Sequence, residues 1–504
     1  MGLTLMASSD TLQRTSLHSF ELISLQNPWL ISSNPAALSQ MNLSLVGIMN
    51  ARYGNEDGSF KRVQQGDKLN TYQFTTFSYS QIKDISLYGG FNYEKSFEKG
   101  LDYSNVNDPF RLTPYQVIDT IGNDTYDREF FSAGGGLSKP FGDRLTLGLS
   151  GDFKVGLASQ NKDPRPRNKV FYMTLSPGMI YNLGKFKLGL NFLYKYYNEE
   201  IEISIVRSNT TAAFFTAHGL GMATYHEAGS FNRLYKRNSK GFDIQLAYEN
   251  SKIRSVNGSR LLYHEETAGD GRKASNASWA YLKKDSRLNA IQFDLYNQTS
   301  FLHTDNIQSF GYSLNINTVL GTEIIQRLEQ VNDLELDDWI TYDEEEKYGA
   351  EDVKLNVYYQ FYKLKNNKQK NFNLNLHADY HSFIENYFVP NQEEYYKNLA
   401  FGVSFDKNFY HHKKSLSLGL KLKYKMNLEG AQNFSDFTYI AERIFVPDFE
   451  FLSCNYIAPG LNVAYEIPLR KIFDQLFINS TVDLYFGNNG QSRTIFNIST
   501  GVTF

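Results

Sequence analysis

The chain has 504 residues, 51 basic and 54 acidic, with a net charge of −3. That near-neutral balance gives no electrostatic footprint for nucleic acid, and the single cysteine, Cys454, excludes an internal disulfide framework. Tyr (35), Phe (38) and Gly (36) are abundant and Pro (12) is scarce, yet no apolar run approaches the ~18–20 residues of a spanning helix.

Mean hydropathy is −0.44, so the average residue is polar. Many aromatics in a polar chain suit strands with one greasy and one wet face. A closed barrel is the other structure that crosses a bilayer, because it satisfies every backbone group between strands. The expected fold is therefore all-β: an antiparallel, up-and-down transmembrane β-barrel.

Residues 1–7 (MGLTLMA) carry no Lys or Arg. They read as the remnant of a secretory signal cleaved near Ala7, or as a cloning scar. Residues 8–40 do not alternate. They contain Asn27-Pro28 and Asn34-Pro35, pairs that break regular structure and start turns. This segment is expected in or under the lumen of a barrel that occupies 41–504. Asn34 and Pro35 are its candidate gating residues.

The first strand is expected at 42–52, and tracts of period two follow. Leu145, Leu147, Leu149, Phe153 and Leu157 alternate with Thr146, Ser150, Asp152 and Lys154. Phe186, Leu188, Leu190 and Phe192 alternate with Lys185, Lys187 and Asn191. Gly134, Gly135 and Gly136 interrupt the strand at 129–139, and Pro177 lies inside 172–181. A bend is the plain reading of the glycines, and a lateral opening the functional one.

The segment 208–232 is rich in small and apolar residues, with Phe214, Phe215 and His218 near its centre. Left in water it would be an exposed apolar patch. It is expected to fold into the barrel mouth or to pack on a partner, and these three residues are further gating candidates. The stretch 329–346 holds nine acidic residues and reads as a solvated outer loop, or as a dock for a cation or a partner.

His377, Asp379 and His381 share the polar face of one strand. Two imidazoles and a carboxylate are metal-ligand types. Neighbours at i and i+2 lie ~6–7 Å apart, so chelation would need an adjacent strand. No metal site is assigned, and no cofactor is expected.

The clearest tract is 415–428. Leu416, Leu418, Leu420, Leu422, Tyr424, Met426 and Leu428 alternate with Ser415, Ser417, Gly419, Lys421, Lys423, Lys425 and Asn427. Fourteen residues exceed the ~9–11 that span a bilayer at a tilt. Lys421, Lys423 and Lys425, with Asp379 and Asp483, form the expected polar lumen wall. The mixture of signs predicts no strong ion selectivity.

Short connections near 81–84, 140–143, 183–185, 251–254, 303–308, 366–370, 411–414 and 468–474 alternate with longer ones. The longer ones are 54–68, 97–126, 158–168, 204–238, 325–350, 386–396 and 429–446. This is the topology of bacterial outer-membrane barrels, with long loops extracellular and both termini periplasmic. Threading gives about eighteen strands. Fourteen or sixteen are the alternative counts, because 229–302 is weakly patterned. The last strand ends in Phe504, which reads as an assembly signal for the barrel-assembly machinery.

The stretch from Asn34 to Leu38 (NPAAL) resembles the lead into the barrel in the long-chain fatty acid transporter family and in secretion-apparatus barrels of Bacteroidota. The Tyr- and Asn-rich chain with Lys-studded strands resembles uncharacterised outer-membrane barrels of Bacteroidota. Such barrels are often encoded near TonB-dependent transport components, so the resemblance implies a TonB-dependent transporter or other outer-membrane subunits as partners; lipid and lipopolysaccharide are the surroundings expected of the barrel itself.

Two functions remain from this reading. One is passage of a solute through a lumen gated by 8–40 and 208–232. The other is a non-conducting accessory subunit of a larger outer-membrane complex for TonB-dependent uptake, secretion or barrel assembly. An enzyme is the third and weakest reading, since no Gly-x-Ser-x-Gly, His-Glu-x-x-His or P-loop pattern occurs.

Overall fold

Alternating tracts form strands whose two faces meet different media. The computed structural model describes residues 15–504, apart from 42, 112, 121, 123, 161–162, 164, 206–211, 229, 274–278, 332–335, 366–368, 437 and 470–471. The expected signal remnant at 1–7 lies outside the described residues. So do 8–14 of the lead segment and 208–211 of the apolar stretch.

The strands are β1 (Leu45–Gly58), β2 (Lys68–Ile82), β3 (Ile85–Leu101), β4 (Val117–Asp119), β5 (Asp124–Phe141), β6 (Leu145–Gln160) and β7 (Arg165–Leu183). Next come β8 (Phe186–Ser204), β9 (Ala212–Gly219), β10 (Met222–Ala228), β11 (Ser230–Glu249), β12 (Ile253–Lys273), β13 (Trp279–Leu302) and β14 (Asn306–Val331). Last are β15 (Leu336–Leu364), β16 (Lys370–Tyr387), β17 (Gln392–His411), β18 (Lys414–Phe434), β19 (Tyr456–Pro468), β20 (Gln475–Gly487) and β21 (Ser492–Thr503).

Among the described residues, eighteen of these form one sheet, each bonded antiparallel to its neighbours. β21 closes the barrel on β1, from Ile48↔Thr503 to Gly58↔Arg493. The other three, β4, β9 and β10, make a separate small sheet. The expected count of eighteen holds, and 229–302 supplies β11, β12 and β13 of the wall.

The outer face is apolar and uncovered. Leu418, Leu422 and Tyr424 are exposed, and Leu420 is 64% exposed. Bands like this run round β5 to β8, through Phe131, Leu149, Leu175 and Leu190. Such a surface is stable only against lipid. The protein is an outer-membrane β-barrel. Two prolines interrupt single ladders. β7 and β8 skip Ser176 and Pro177, and β19 and β20 skip Ala458 and Pro459, because proline has no N–H to donate.

The antiparallel order puts the strand ends that flank the eight short connections at one end of the barrel, where Thr503 of β21 donates to Thr15 O just before α1. The long connections need correcting. The stretch 54–68 shrinks to 59–67, and 386–396 to 388–391, because the strands run on. The expected loop 325–350 is mostly strand: β14 and β15 pair as far as Val331↔Leu336. The acidic stretch 329–346 therefore belongs largely to two strand arms. The reason is physical. Beyond the bilayer both strand faces are wet, so the period-two hydropathy fades while the backbone ladder continues.

Candidate functional site

The lumen is crossed at both ends. At the short-turn end lies the lead segment. Ser16 caps the helix α1 (Leu17–Gln26) in a capping box with Ser19. Asn27 accepts from Trp29 N and starts a 3-10 turn at Pro28–Ile31, and Asn34 accepts from Ala36 N and starts a second at Pro35–Gln40. The two Asn-Pro pairs thus do what their chemistry dictates.

This floor is moulded to the wall. Trp29 is fully buried, and its Nε1 donates to Glu249 Oε1 at 2.8 Å. Lys187 Nζ joins Glu249 (2.5 Å) to Gln40 (2.6 Å). Asn34 Nδ2 donates to Met179 O at 3.0 Å and to Gln245 Oε1 at 2.9 Å. Ser138 Oγ donates to Ala36 O at 3.0 Å. Beneath them the wall is glycine. A Cβ on Gly148 would lie 2.3 Å from Ala36 N, and one on Gly178 would lie 2.8 Å from Pro35 Cδ. Gly148 and Gly178 pair across β6 and β7, so the seat spans two strands.

Asn34→Ala removes three hydrogen bonds and leaves Gln245 without this partner in a buried site. The expected loss is about 1–3 kcal/mol of floor docking. Hydrogen exchange at 28–40 should quicken by roughly ten- to a hundredfold while the barrel strands stay protected.

α1 is held by charge. Lys370 Nζ lies 2.6 Å from Glu21 Oε2, and His18 lies 3.2 Å from Glu466. Burial pushes the pKa of the Glu21 carboxyl up, but the His18 bond and the Lys370 charge outweigh it and bring the carboxyl down to about 2. A depressed folded-state value contributes stability above the usual carboxylate range, and that stability is lost as pH falls from about 4.5 towards 2. Glu21 is 45% exposed, so water screens part of the gain. Exchange protection of α1 should therefore be flat above about pH 5 and weaken between 4 and 2. Beside α1 a cavity of about 1090 Å³ remains, lined by Thr15, His18, Leu22, Lys370, Asp474 and Phe504 among others.

At the long-loop end β4, β9 and β10 form a roof. Phe214 is fully buried with Val106, Tyr115, Val117, Ile201, Ile203 and Tyr235. Phe215 packs beside Ile118, Ala217, Ile440 and Ile444. His218 Nε2 lies 2.8 Å from Thr224 Oγ1, and its Nδ1 lies 3.2 Å from Glu323. The hairpin tip turns at Leu220–Gly221, where Thr438 Oγ1 donates to Gly221 O at 2.5 Å. Next to it runs the helix α2 (Val446–Ser453). Arg62 bonds Asp448 of α2 at 2.6 Å.

The roof is pinned through a buried arginine. Arg233 of β11 is completely buried and bonds Asp270 (2.7 Å) and Asp285 (2.6 Å). Its Nη2 donates to Tyr115 O at 3.2 Å, and Tyr235 Oη donates to the same carbonyl at 2.9 Å. Arg111 holds the same loop through Glu266 at 3.1 Å.

Between floor and roof the wall is polar and partly open to solvent. Lys423 lies 3.1 Å from Asp379, and Lys421 lies 3.8 Å from Asp483. Lys425 instead reaches the roof, donating to Leu452 O (2.5 Å) and Cys454 O (3.1 Å). His381 bonds Asp352 at 2.8 Å, and His377 stands 3.9 Å from Asp379. His381 thus turns away to Asp352 while His377 stays beside Asp379, and no group of three metal-ligand side chains occurs among the described residues. Phe504 lies at the seam, where its N and O both bond Gly47.

Sequence reasoning missed Trp29, Arg233, Tyr115 and the glycine seat. One signal was available: Gly148 and Gly189, where a Cβ would lie 3.0 Å from Trp29 Cζ3, both stand between leucines, on the lumen side of the alternation. A glycine where the pattern calls for a polar side chain marks a close backbone approach. Arg233 gave no such signal, since its partners lie 37 and 52 residues away.

The profile of a family of unknown function (DUF6850) matches residues 35–504. No curated protein matches. Among solved structures the chain is similar to the open form of the ferric-catecholate import receptor Fiu from E. coli K12, at 8% identity and a TM-score of 0.38, over 94% of this chain and 82% of that one. It is similar to the RagAB peptide transporter at 7% identity and a TM-score of 0.42, over 92% and 86%. It is also similar to the copper transporter OprC at 9% identity and a TM-score of 0.38, over 92% and 81%.

Proposed function

The chain belongs to the family of unknown function DUF6850, and we propose that it is a gated passage barrel of the outer membrane. In this reading the long-loop end faces outward and the short-turn end faces the periplasm. A polar solute enters when the roof parts around Phe214, Phe215 and His218. It crosses the belt of Lys421, Lys423, Asp379 and Asp483, and leaves beside α1. Asn34 and Pro35 hold the floor in its seat. Phe504 serves as the assembly signal.

One observation carries this reading. Two separate segments cross the two ends, and the belt between them keeps partly exposed charges in cross-strand pairs. A barrel of this width must be filled or gated. A segment across each end with a charged, partly exposed wall between them supports a gated passage over a filled scaffold.

The test is swelling of liposomes carrying the purified barrel, in uncharged sugars of graded size. Phe214→Ala and Phe215→Ala each empty a packed roof position, at about 3–5 kcal/mol. Both variants should admit sugars that the parent chain excludes. Folded variants that admit nothing would remove the passage reading.

A further inference from the structure

Two carboxyls near the roof take no part in the belt. Their height on the wall is set by a neighbouring ion pair. Lys397 and Glu429 join at 2.8 Å with both side chains half-exposed, on the outward face of β17 and β18, so they stand beyond the lipid. Three residues further out on the same ladder, and pointing inward, Glu394 of β17 stands directly opposite Glu385 of β16. Directly opposed residues have Cβ atoms ~4.5–5.5 Å apart. Glu394 is 4% exposed, and Glu385 is largely covered.

Two carboxyls this close and this far from water do not readily ionise together. Tyr348 of β15 donates to Glu385, and Gln432 of β18 donates to Glu394 at 2.7 Å. Neither donor brings a charge. The cation whose field reaches both is Arg62 of the β1–β2 loop, but Asp448 of α2 holds it at 2.6 Å and adds its own negative charge at Glu394. Tyr396 faces the pair from β17, with Asp352 and His381 beyond it. Burial pushes Glu385 up to about 7. Burial, and then the charge of Glu385, push Glu394 up to about 8.

The same donors reach the roof. Gln432 also donates to Phe445 O at 3.0 Å, in the turn that leads into α2. Ile440 and Ile444 beside it pack with Phe215. Tyr348 lies against the tip of the β9–β10 hairpin, where a Cβ on Gly219 would stand 2.6 Å from its Cδ2. We propose that Glu385 and Glu394 are a proton latch: the roof stays docked while the pair is protonated, and parts as its protons leave for bulk water. Ionised carboxyls demand water, and the barrel strands are fixed by their ladders, so the covering turn and hairpin are what yield. A carboxyl held above its ordinary value favours the closed roof at low pH, and that preference is lost as pH climbs from about 4.5 towards 8. The inference rests on the reading of the roof as a gate.

The test is hydrogen exchange at 214–222 and 440–452 in the full barrel, from about pH 5 to about pH 8, for the parent chain and for E385Q/E394Q. Glutamine keeps the shape and the acceptor and does not ionise. Intrinsic exchange chemistry and the other titrating roof groups, His218 and Glu323 among them, are common to both chains, so the ratio of rates isolates the pair. That ratio, parent over variant, is expected to grow at least tenfold across this range. The exposed Glu442→Gln should leave the parent's response intact. Heat-modifiable mobility checks folding, and if the double variant does not fold, the ratio against E394Q alone must still grow. A ratio that stays constant with pH would overturn the latch, whether or not sugars pass. A ratio that grows in a barrel admitting no sugar at either pH would support the latch and remove only the passage reading.

Discussion

Gly148→Ala is expected to lift the floor and open the lumen. The new methyl would stand 2.3 Å from Ala36 N and 2.5 Å from Pro35 C. These are backbone atoms of a turn that Asn34 and Ser138 already fix, so no flexible side chain can yield. Overpacking of this kind costs about 1–3 kcal/mol. The strands of the barrel are anchored by their ladders, whereas the turn at Pro35–Gln40 is held by a handful of contacts. The turn should therefore be what moves. In planar bilayers the open fraction of the channel should rise about tenfold or more, the equivalent of 1.4 kcal/mol. Gly151→Ala is the control. It lies three residues along the same strand, and its added methyl meets nothing closer than 3.8 Å. If both variants behave alike, the seat has no part in closure.

The second large effect is at the roof. Arg233→Met would leave Asp270 and Asp285 facing each other in a mostly buried site, and Tyr115 O without the guanidinium. Removing one partner of a buried charge cluster costs about 3–5 kcal/mol. The loop that runs from β3 to β5 through Tyr115 should then open. Trypsin offers a direct readout, because Arg111 of that loop is nearly covered in the parent chain. Cleavage after Arg111 should quicken about a hundredfold or more, with the barrel core still resistant. Arg233→Lys keeps the charge and loses the fork, so its rate should lie between the two.

The membrane-crossing part of the fold was legible because lipid forces it. Leu418, Leu420 and Leu422 must face out, and period two follows. Above the bilayer that pressure ends. There β14 and β15 continue as strands through residues that look like a loop, and β9 and β10 form a hairpin in a stretch with no strand alternation. The floor was legible in part. Asn27-Pro28 and Asn34-Pro35 announce turns by their own chemistry. Their seat on Gly148 and Gly178 depends on residues more than a hundred positions away, which local pattern does not carry. The same distance hid Arg233. The lumen wall at Lys423 and Asp379 shows a further limit: each side chain's face could be read from parity, but its partner depends on the register between strands.

The most direct test of closure by the chain's own lead segment is single-channel recording from the full barrel and from a barrel lacking 17–40. The full barrel is expected to stay mostly shut, and the shortened one to conduct steadily. A shortened barrel that folds, inserts and remains as silent as the full one would contradict the account.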